Sequence, residues 1–419
     1  MTYLCVDVGS TWTKAALLAE DGTLLGTAQH ETTPPEVMNG VAAVTEALSA
    51  GDATVLACSS AGGGLRLAVV GQERLVSTEA GHRVALSAGA KVVHVSAGEL
   101  SNVHALRAAR PDVVLLVGGT DGGDEKVLLH NATRLARARV TVPIVLAGNK
   151  NAQPAALSIL EGRTVVPTDN VLPDVGELSP GPARAAIREV FLSHVIGGKG
   201  LSRGPRFRDL VRTVTPDAVL SGVAVLAAQE EDGAVLVVDV GGATTDVYSA
   251  VSTMDDAPSR TVALPADRRT VEGDIGMRVS APGVVAEAIA ERLLPPDTEL
   301  AEQARRRGDN VDFVPATDEE RNTDLRIAEL AATIAIRRHL RMIDGRLGPK
   351  GAATLVLSGG VFRHATSLAG TEAALKRNLG PVLKDARVVV DREGRLGPAG
   401  LLAQAGHHDT AAALLAAAE

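Results

Sequence analysis

One local pattern occurs twice in this chain of 419 residues and restricts its fold more than any other feature. An apolar run ends in Asp-Val-Gly at residues 4–9, and a second apolar run ends in the same triplet at residues 236–241. Small and hydroxyl-bearing residues follow each triplet, and each loop then leads into another β-prone run. Glycine allows consecutive backbone amides to point into one concavity, so both segments are typical of anion-binding β-hairpins. A Walker-type loop or a dinucleotide fingerprint opens a helix instead, which disfavours those folds.

The residue types in the two loops predict that they clamp a nucleotide together with a divalent cation. Asp7 and Asp239 end their strands, where their carboxylates would hold a hydrated Mg²⁺ that bridges the phosphates of ATP. The groups predicted to contact the phosphates lie at Gly9, Ser10, Thr11, Thr13, Gly241, Gly242, Ala243, Thr244 and Thr245. Lys14 would neutralise phosphate charge. For either loop alone, an ordinary tight hairpin is the alternative interpretation.

A third glycine loop follows a later apolar run. Residues 354–358 form a β-prone segment that leads into Gly359, Gly360 and Val361. Paired glycines allow the backbone to approach a flat ligand closely. This loop is therefore predicted to face the adenine and ribose of the nucleotide.

The order of hairpin, second hairpin and Gly-Gly loop resembles that of the actin, sugar-kinase and heat-shock-chaperone ATPases. The resemblance covers residues 1–50 and 205–405 and implies an α/β fold with a two-lobed, actin-like ATPase core. Residues 394–403 are similar to the last connecting helix of that superfamily, where a small residue lets two helices cross closely. Residues 51–200 alternate short strands with Ala-rich helices, which is typical of an α/β layer with some parallel pairing. The predicted domains are a first lobe at 1–50, an inserted α/β domain at 51–204 and the remaining core at 205–419.

A narrower resemblance runs over nearly the whole chain. Its segments are ACSSAGGGL at 57–65, LLVGGTDGG at 115–123, EVFLSHVI at 189–196 and VEGDIGMR at 271–278. Together they resemble the glutamate mutase accessory family called MutL or GlmL. That resemblance implies an ATP-dependent reactivating chaperone whose partner is a coenzyme B12-dependent mutase. The cobalamin-binding Asp-x-His-x-x-Gly pattern is absent from the sequence, so the chain is expected to act on the enzyme that carries B12.

Two other functions fit the same fold. A small-molecule kinase would need a carboxylate to deprotonate a substrate hydroxyl, and Asp246 is the candidate for that catalytic base. A nucleotide-binding scaffold without turnover is the second alternative. Steady ATP consumption without an added substrate would distinguish the chaperone ATPase from both.

Composition disfavours several other classes. A net charge of -8 and a single Trp with two Tyr argue against nucleic-acid binding and against attraction to anionic membranes. No apolar run approaches the roughly 18 residues of a membrane span, and the N-terminal residues do not resemble a signal peptide. Cys5 and Cys58 are expected to be buried thiols, which fits a cytoplasmic protein.

Three further segments have weaker interpretations. Residues 118–124 form either a ligand loop or, slightly favoured, a glycine-rich turn before a helix. Glu272 and Asp274 would either reach the ribose and position water or belong to a helix-entry turn. The charged segment 305–324 is expected to be an exposed loop or lid with solvated arginines.

Overall fold

The computed structural model describes residues 1–60, 65–72, 81, 84, 90–175, 177–195, 201–202, 205–231, 233–251, 267–343, 347 and 351–416. The glycine run at 62–64 and Ile196 lie outside these residues, as does most of the segment 79–88, for which the sequence predicts a helix. The described chain divides into two compact units, one with residues 1–222 and 397–416 and one with residues 223–251 and 267–396.

The first unit begins with a mixed five-stranded sheet. Its strands are β1 (Thr2–Val8), β2 (Trp12–Ala19), β3 (Leu24–Glu31), β4 (Thr54–Ser59) and β10 (Val211–Val214). They lie in the order β10-β4-β1-β2-β3, with β1, β2 and β3 antiparallel and with β4 parallel to both β1 and β10. Strands β1, β2 and β3 form the three-stranded meander that their apolar runs and the Asp21-Gly22 turn signal predict, and Gly22 has a φ of +86°. Helix α1 (Met38–Ala47) follows β3.

Strand β4 lies within the segment predicted as an inserted domain, yet it pairs with β1. The insert's own sheet therefore begins after β4. The domain boundaries at residues 50 and 204 otherwise stay predictions.

A parallel sheet forms the rest of the first unit. Its strands are β5 (Arg66–Gly71), β6 (Lys91–Ala97), β7 (Val113–Leu116), β8 (Ile144–Leu146) and β9 (Val165–Pro167). They lie in the order β6-β5-β7-β8-β9, with helices α2 (Val103–Ala108), α3 (Lys126–Arg137) and α4 (Gln153–Ile159) between them in sequence. Alternate residues of β5 point to opposite faces of the sheet and join different core clusters. Leu67 and Val69 belong to one cluster, and Ala68 and Val70 belong to the other. The predicted α/β layer with parallel pairing is confirmed.

The remaining helices of the first unit bring two distant segments into contact. They are α5 (Pro180–Val190), a π-helical turn (Phe191–Val195), α6 (Arg206–Leu210), α7 (Thr215–Ala227), α13 (Leu396–Gln404) and α14 (His408–Ala416). A Cβ atom on Gly400 of α13 would lie 1.7 Å from the carbonyl oxygen of Ala218 on α7. The predicted close helix crossing at a small residue is therefore confirmed.

The second unit contains another mixed five-stranded sheet. Its strands are β11 (Ala234–Val240), β12 (Thr245–Val251), β13 (Asp267–Glu272), β14 (Ala352–Ser358) and β15 (Arg387–Val390). They lie in the order β13-β12-β11-β14-β15. Its helices are α8 (Ala281–Ala290), α9 (Leu300–Asp309), α10 (Asp318–Met342), α11 (Gly360–Arg363) and α12 (Ala369–Leu379).

The two mixed sheets share one topology. In each, three antiparallel strands come first in the chain, and two further strands then pair in parallel beside the first. This duplication confirms the α/β class and the actin-like core. None of the helices in the described parts of the chain is long and apolar enough to cross a membrane.

The expectation of an exposed loop at residues 305–324 is confirmed for residues 310–317 and wrong for the rest. Its first residues complete α9, and its last residues form the start of α10, where Thr317 and Glu320 make a reciprocal capping box. Arg307 is fully buried and Asp324 is nearly so. A run of charges is usually solvated, but two of the charges in this run pair with each other and are buried.

A buried histidine joins α10 to the sheet of the second unit. The two ring nitrogens of His339 lie 2.9 Å from Oγ of Ser249 and 3.0 Å from Oγ1 of Thr270. Burial, and to a lesser extent the nearby charge of Arg268, lowers the pKa of His339 to about 3. Between about pH 3 and about pH 6.5 the folded protein therefore keeps this imidazole neutral, whereas the unfolded chain protonates it.

We expect His339 to make the protein less stable as the pH falls below about 6.5. In that range the unfolded chain binds a proton that the folded chain excludes, so the free energy of unfolding decreases by up to about 1.4 kcal/mol per pH unit. Urea unfolding at pH 7 and pH 5 should show a smaller pH-dependent loss in His339→Gln than in the wild type. The exposed His408→Gln should behave like the wild type. An equal loss in all three proteins would contradict the assignment.

Candidate functional site

The first hairpin turns through residues 9–12, which we name loop 1. The N–H of Gly9 donates to the carbonyl oxygen of Trp12 at 3.0 Å. A Cβ atom on Gly9 would lie 2.7 Å from that same oxygen, so the turn requires glycine. Ser10, Thr11 and Trp12 are exposed. Loop 1 therefore presents two hydroxyls and its outer backbone to solvent.

Asp7 lies at the point where three strands of the first sheet end. Its Oδ1 accepts a hydrogen bond from Thr215 Oγ1 at 2.5 Å, and Cys58 Sγ lies at 3.7 Å. Lys14 is directly opposite Asp7 on β2. Burial raises the pKa of Asp7, while the Thr215 hydrogen bond and the Lys14 charge partly oppose that rise. A bound cation would relieve the cost of ionising this carboxylate.

The hydroxyl of Thr13 lies beneath loop 1. Thr13 is fully buried, and its Oγ1 lies 3.1 Å from Oγ1 of Thr32, which donates to the carbonyl oxygen of Gly9 at 2.9 Å. Thr13 therefore supports the loop from the interior, whereas the sequence predicted a phosphate contact.

The second hairpin turns through residues 241–244, which we name loop 2. The N–H of Gly241 donates to the carbonyl oxygen of Thr244 at 2.9 Å, the same bond that closes loop 1. Gly242 and Ala243 are exposed. Thr245 is fully buried, like Thr13, and its hydroxyl has no hydrogen-bond partner within the described chain. The two predicted hairpins are thus confirmed as strand-to-strand turns of one geometry.

Three consecutive carbonyl groups of loop 2 accept hydrogen bonds from residues 277–280 and therefore point towards that segment. Hydrogen bonds to Gly241 O, Gly242 O and Ala243 O come from Met277 N at 2.9 Å, Arg278 N at 2.7 Å and Ser280 Oγ at 2.7 Å. In a trans peptide the N–H points opposite to the preceding carbonyl. The N–H groups of Gly242, Ala243 and Thr244 are therefore turned away from this segment, as an anion-binding concavity requires.

Two aspartates face each other next to loop 2. Asp239 ends β11 and lies directly opposite Asp246 on β12. The nearly buried Arg269 forms an ion pair with Asp246 at 2.5 Å and extends over the ring of Tyr248. Arg269 thus fixes Asp246 directly across the hairpin from Asp239.

The Gly-Gly loop lies beside the second hairpin because β14 runs parallel to β11. Gly359 has a φ of +115°, and a Cβ atom there would lie 2.4 Å from the carbonyl oxygen of Val240. Gly360 is exposed with open space around its Cα, and Val361 is half-buried. The second unit therefore brings Asp239, loop 2 and the predicted adenosine loop together at the carboxyl ends of its parallel strands.

Glu272 and Asp274 are held by one arginine of α10. Arg338 bonds Glu272 at 2.6 Å and Asp274 at 3.1 Å, and it also bonds Glu287 of α8 at 2.8 Å. No local sequence pattern predicts this link, because the partners are more than sixty residues apart. The contact with ribose stays a prediction.

Buried asparagines fix the glycine loop at residues 118–124. Asn149 accepts from the N–H of Gly122 at 3.2 Å and donates to the carbonyl oxygen of Gly123 at 3.1 Å. Asn170 donates to the carbonyl oxygen of Gly119 and to Asp121, both at 2.9 Å. The contacts agree with the favoured interpretation of a structured turn before α3.

The residues present are compatible with a nucleotide and Mg²⁺. In the described parts of the chain no three His, Cys, Asp or Glu side chains converge on a point where they could hold a metal ion. Mg²⁺ commonly needs only one or two carboxylates, because phosphate oxygens and water complete its shell. Each unit, taken by itself, supplies one carboxylate of this kind beside a hairpin: Asp7 in the first unit and Asp239 in the second.

Sequence reasoning missed two residues that shape the site. Thr215, which bonds Asp7, begins α7 in the run Thr-Pro-Asp, a pattern typical of helix starts. Arg278, which bonds loop 2, lies inside the VEGDIGMR segment already singled out. The helix-start signal at Thr215 was available, but its partner lies 208 residues away.

Sequence comparison places these observations among known proteins. The family model described as "MutL protein" matches residues 3–418. Protein MutL of Clostridium tetanomorphum is 35% identical over 408 residues, which are 91% of this chain and 88% of that protein.

Solved structures show a more distant likeness. Nucleotide-free acetone carboxylase is 16% identical, with 89% of this chain and 67% of that chain covered and a TM-score of 0.40. Xylulose kinase from Rhodospirillum rubrum is 15% identical, with 97% and 91% covered and a TM-score of 0.39. Both TM-scores are low, so neither structure bears on what this chain does.

Proposed function

The chain belongs to the MutL protein family, and from that premise we propose that it is an Mg²⁺-dependent ATPase that reactivates a coenzyme B12-dependent mutase. The main support for the ATPase is the pair of hairpins with one turn geometry, each preceded by a strand-end aspartate. The association with a mutase of the glutamate mutase type rests on the family resemblance.

In this proposal Asp7 and Asp239 each contribute a carboxylate to the Mg²⁺-ATP complex. Mg²⁺, when bound, would neutralise charge on the phosphates. The exposed groups of loops 1 and 2 would bind phosphate oxygens, with Lys14 adding a positive charge. Gly359 and Gly360 would lie against adenosine. Thr13 and Thr245 would shape the loops from within, since both are fully buried.

Hydrolysis requires little covalent help from the protein, because positioning and charge stabilisation dominate phosphoryl transfer. The kinase alternative depends on Asp246 as a base. In this structure Arg269 bonds Asp246 Oδ1 through two nitrogens, so that oxygen is not presented to a substrate hydroxyl. A kinase base would have to act through the other carboxylate oxygen, Oδ2, of this ion-paired side chain.

The parallel α/β layer of the first unit is proposed to hold the client. It has its own sheet and, on one face, its own core cluster, while its other face shares a core cluster with the first mixed sheet. ATP binding would give different affinities for the closed and open forms of the mutase, which a reactivation cycle requires.

The proposal predicts ATP-dependent rescue of a blocked mutase. A B12-dependent mutase is first inactivated with a non-productive cobalamin and then mixed with this protein, Mg²⁺-ATP and fresh adenosylcobalamin. Mutase activity should return, and neither ADP nor the Asp239→Ala variant should support recovery.

Two outcomes would contradict this function. Equal recovery without ATP would remove the ATP-dependent step. Steady ATP turnover only in the presence of a small hydroxylated substrate, with no binding to any mutase, would support the kinase instead.

A further inference from the structure

Loop 2 is held by a segment whose own position depends on one arginine. The backbone of residues 276–280 packs so closely against the loop that a Cβ atom on Gly276 would lie 2.5 Å from the carbonyl carbon of Ala243. Gly242 accepts from the N–H of Arg278 at 2.7 Å. Any displacement of this segment would therefore release the carbonyl groups of loop 2.

The side chain of Arg278 is anchored away from the loop. Its Nε donates to the carbonyl oxygen of Phe313 at 3.1 Å, and its Nη2 bonds Asp324 at 3.0 Å. Its guanidinium also lies 5.7 Å from the centroid of the Phe313 ring. These contacts fix the arginine from its backbone to its charged end.

Asp324 is shared with a second arginine. The fully buried Arg307 bonds the other carboxylate oxygen of Asp324 at 2.5 Å and lies 4.7 Å from the Phe313 ring. Two guanidiniums thus share one carboxylate. The cluster lies behind a loop that turns its N–H groups outward.

We propose that Arg278 is a positioning residue for the nucleotide phosphates. Its anchored side chain holds residues 277–280, which hold the three carbonyls of loop 2 on one side and so present the opposite N–H groups to phosphate. This inference rests on the proposed nucleotide site. It implies that dependence on Arg278 increases with the number of phosphates on the ligand.

The test variant is Arg278→Met. Methionine keeps an unbranched side chain over Phe313, while it removes the charge and both anchoring hydrogen bonds. Asp324 keeps its partner Arg307, and the remaining pair is balanced, so the fold should persist. By calorimetry the Kd for Mg²⁺-ATP should increase at least about tenfold, while that for adenosine should change less than about twofold.

Two further variants separate anchoring from charge. Arg306→Met is the matched control, because Arg306 lies 5.2 Å from the same ring but is exposed and pairs with Glu320 at 3.7 Å. It should bind ATP like the wild type. Arg278→Lys keeps the charge without the two-point anchor, so it should resemble Arg278→Met. Full restoration by lysine would overturn the positioning role in favour of simple charge.

A readout without nucleotide keeps this inference separate from the proposed function. In the ligand-free protein, amide hydrogen exchange at Met277 and Arg278 should be faster in Arg278→Met than in the wild type, with similar global stability. Unchanged exchange together with unchanged ATP affinity would overturn the inference. If the wild type binds no nucleotide, the proposed function fails, and the exchange rates still decide whether Arg278 positions loop 2.

Discussion

Asp7→Asn is expected to reduce Mg²⁺-dependent ATP hydrolysis by at least about a hundredfold while leaving the protein as stable as the wild type, or more stable. Asparagine keeps the size of the side chain and an oxygen that accepts from Thr215, but it cannot supply the charge that a cation needs. Hydrolysis by the purified variant, measured with saturating Mg²⁺-ATP, tests the first half of this expectation.

The expected stability follows from the direction of the pKa shift. Burial raises the pKa of Asp7 in the folded protein. Between the ordinary pKa and the raised value, the folded state holds a proton that the unfolded chain releases, so this group favours folding as the pH decreases. Above that window ionised Asp7 costs stability. Asparagine avoids the cost, so urea unfolding at pH 8 should show no loss.

Asp21→Asn is the matched control. Asp21 is an exposed aspartate of the turn between β2 and β3, where it accepts from the N–H of Thr23 at 2.9 Å. Asp21 lies in the turn between β2 and β3 and not in either phosphate hairpin, so its substitution should leave hydrolysis unchanged. Near-normal hydrolysis by Asp7→Asn would remove Asp7 from the metal site. A marked loss of stability would instead show that Asp7 is mainly structural.

The hairpins were predictable because their signals are local. An apolar run, an Asp-Val-Gly triplet and a β-prone run lie within about a dozen residues, and hydrophobic pattern with turn chemistry fixes such units. The register also contains information that the sequence analysis did not use. Thr13 lies opposite the buried Val8, and Thr245 lies opposite the buried Val240. Directly opposite residues share a face, so both threonines could have been assigned to the interior.

The polar contacts between distant segments were not predictable. Thr215 and Asp7 meet only because β10 and β4 lie in parallel beside β1. Asp324 and Arg307 meet because α9 and α10 pack together, which converts part of a charged run into a buried pair. Sequence patterns favour a solvated face for such a run, since they contain no information on its partner.

The domain boundary predicted at residue 50 also depends on a contact between distant segments, in this case a pairing of strands. The change to alternating strands and helices near residue 51 is real, but β4 precedes the parallel sheet and completes the first mixed sheet. A short buried strand has the same apolar pattern in either sheet. Its membership is decided by pairing with β1, which is a non-local property.

Gly400→Ala is expected to decrease the free energy of unfolding by about 3 kcal/mol or more. Helix propensity alone would favour alanine by about 0.8–1.0 kcal/mol. Packing reverses the sign, because the new methyl group would lie 1.7 Å from the carbonyl oxygen of Ala218 and 2.8 Å from the nitrogen of Gly222. Both are backbone atoms of α7, so no side-chain rotation can relieve the overlap. The two helices would have to separate.

The separation should also affect the site, since α7 begins at Thr215, which bonds Asp7. We therefore expect that Gly400→Ala loses ATP hydrolysis as well as stability, even below its melting temperature. Gly397→Ala is the control in the same helix, because a Cβ atom there would meet nothing within 4 Å. It should be neutral or slightly stabilising and fully active. Thermal unfolding of both variants tests this expectation. If the melting temperature of Gly400→Ala equals those of Gly397→Ala and the wild type, α7 and α13 do not cross at this glycine. The position of Thr215 then has another cause.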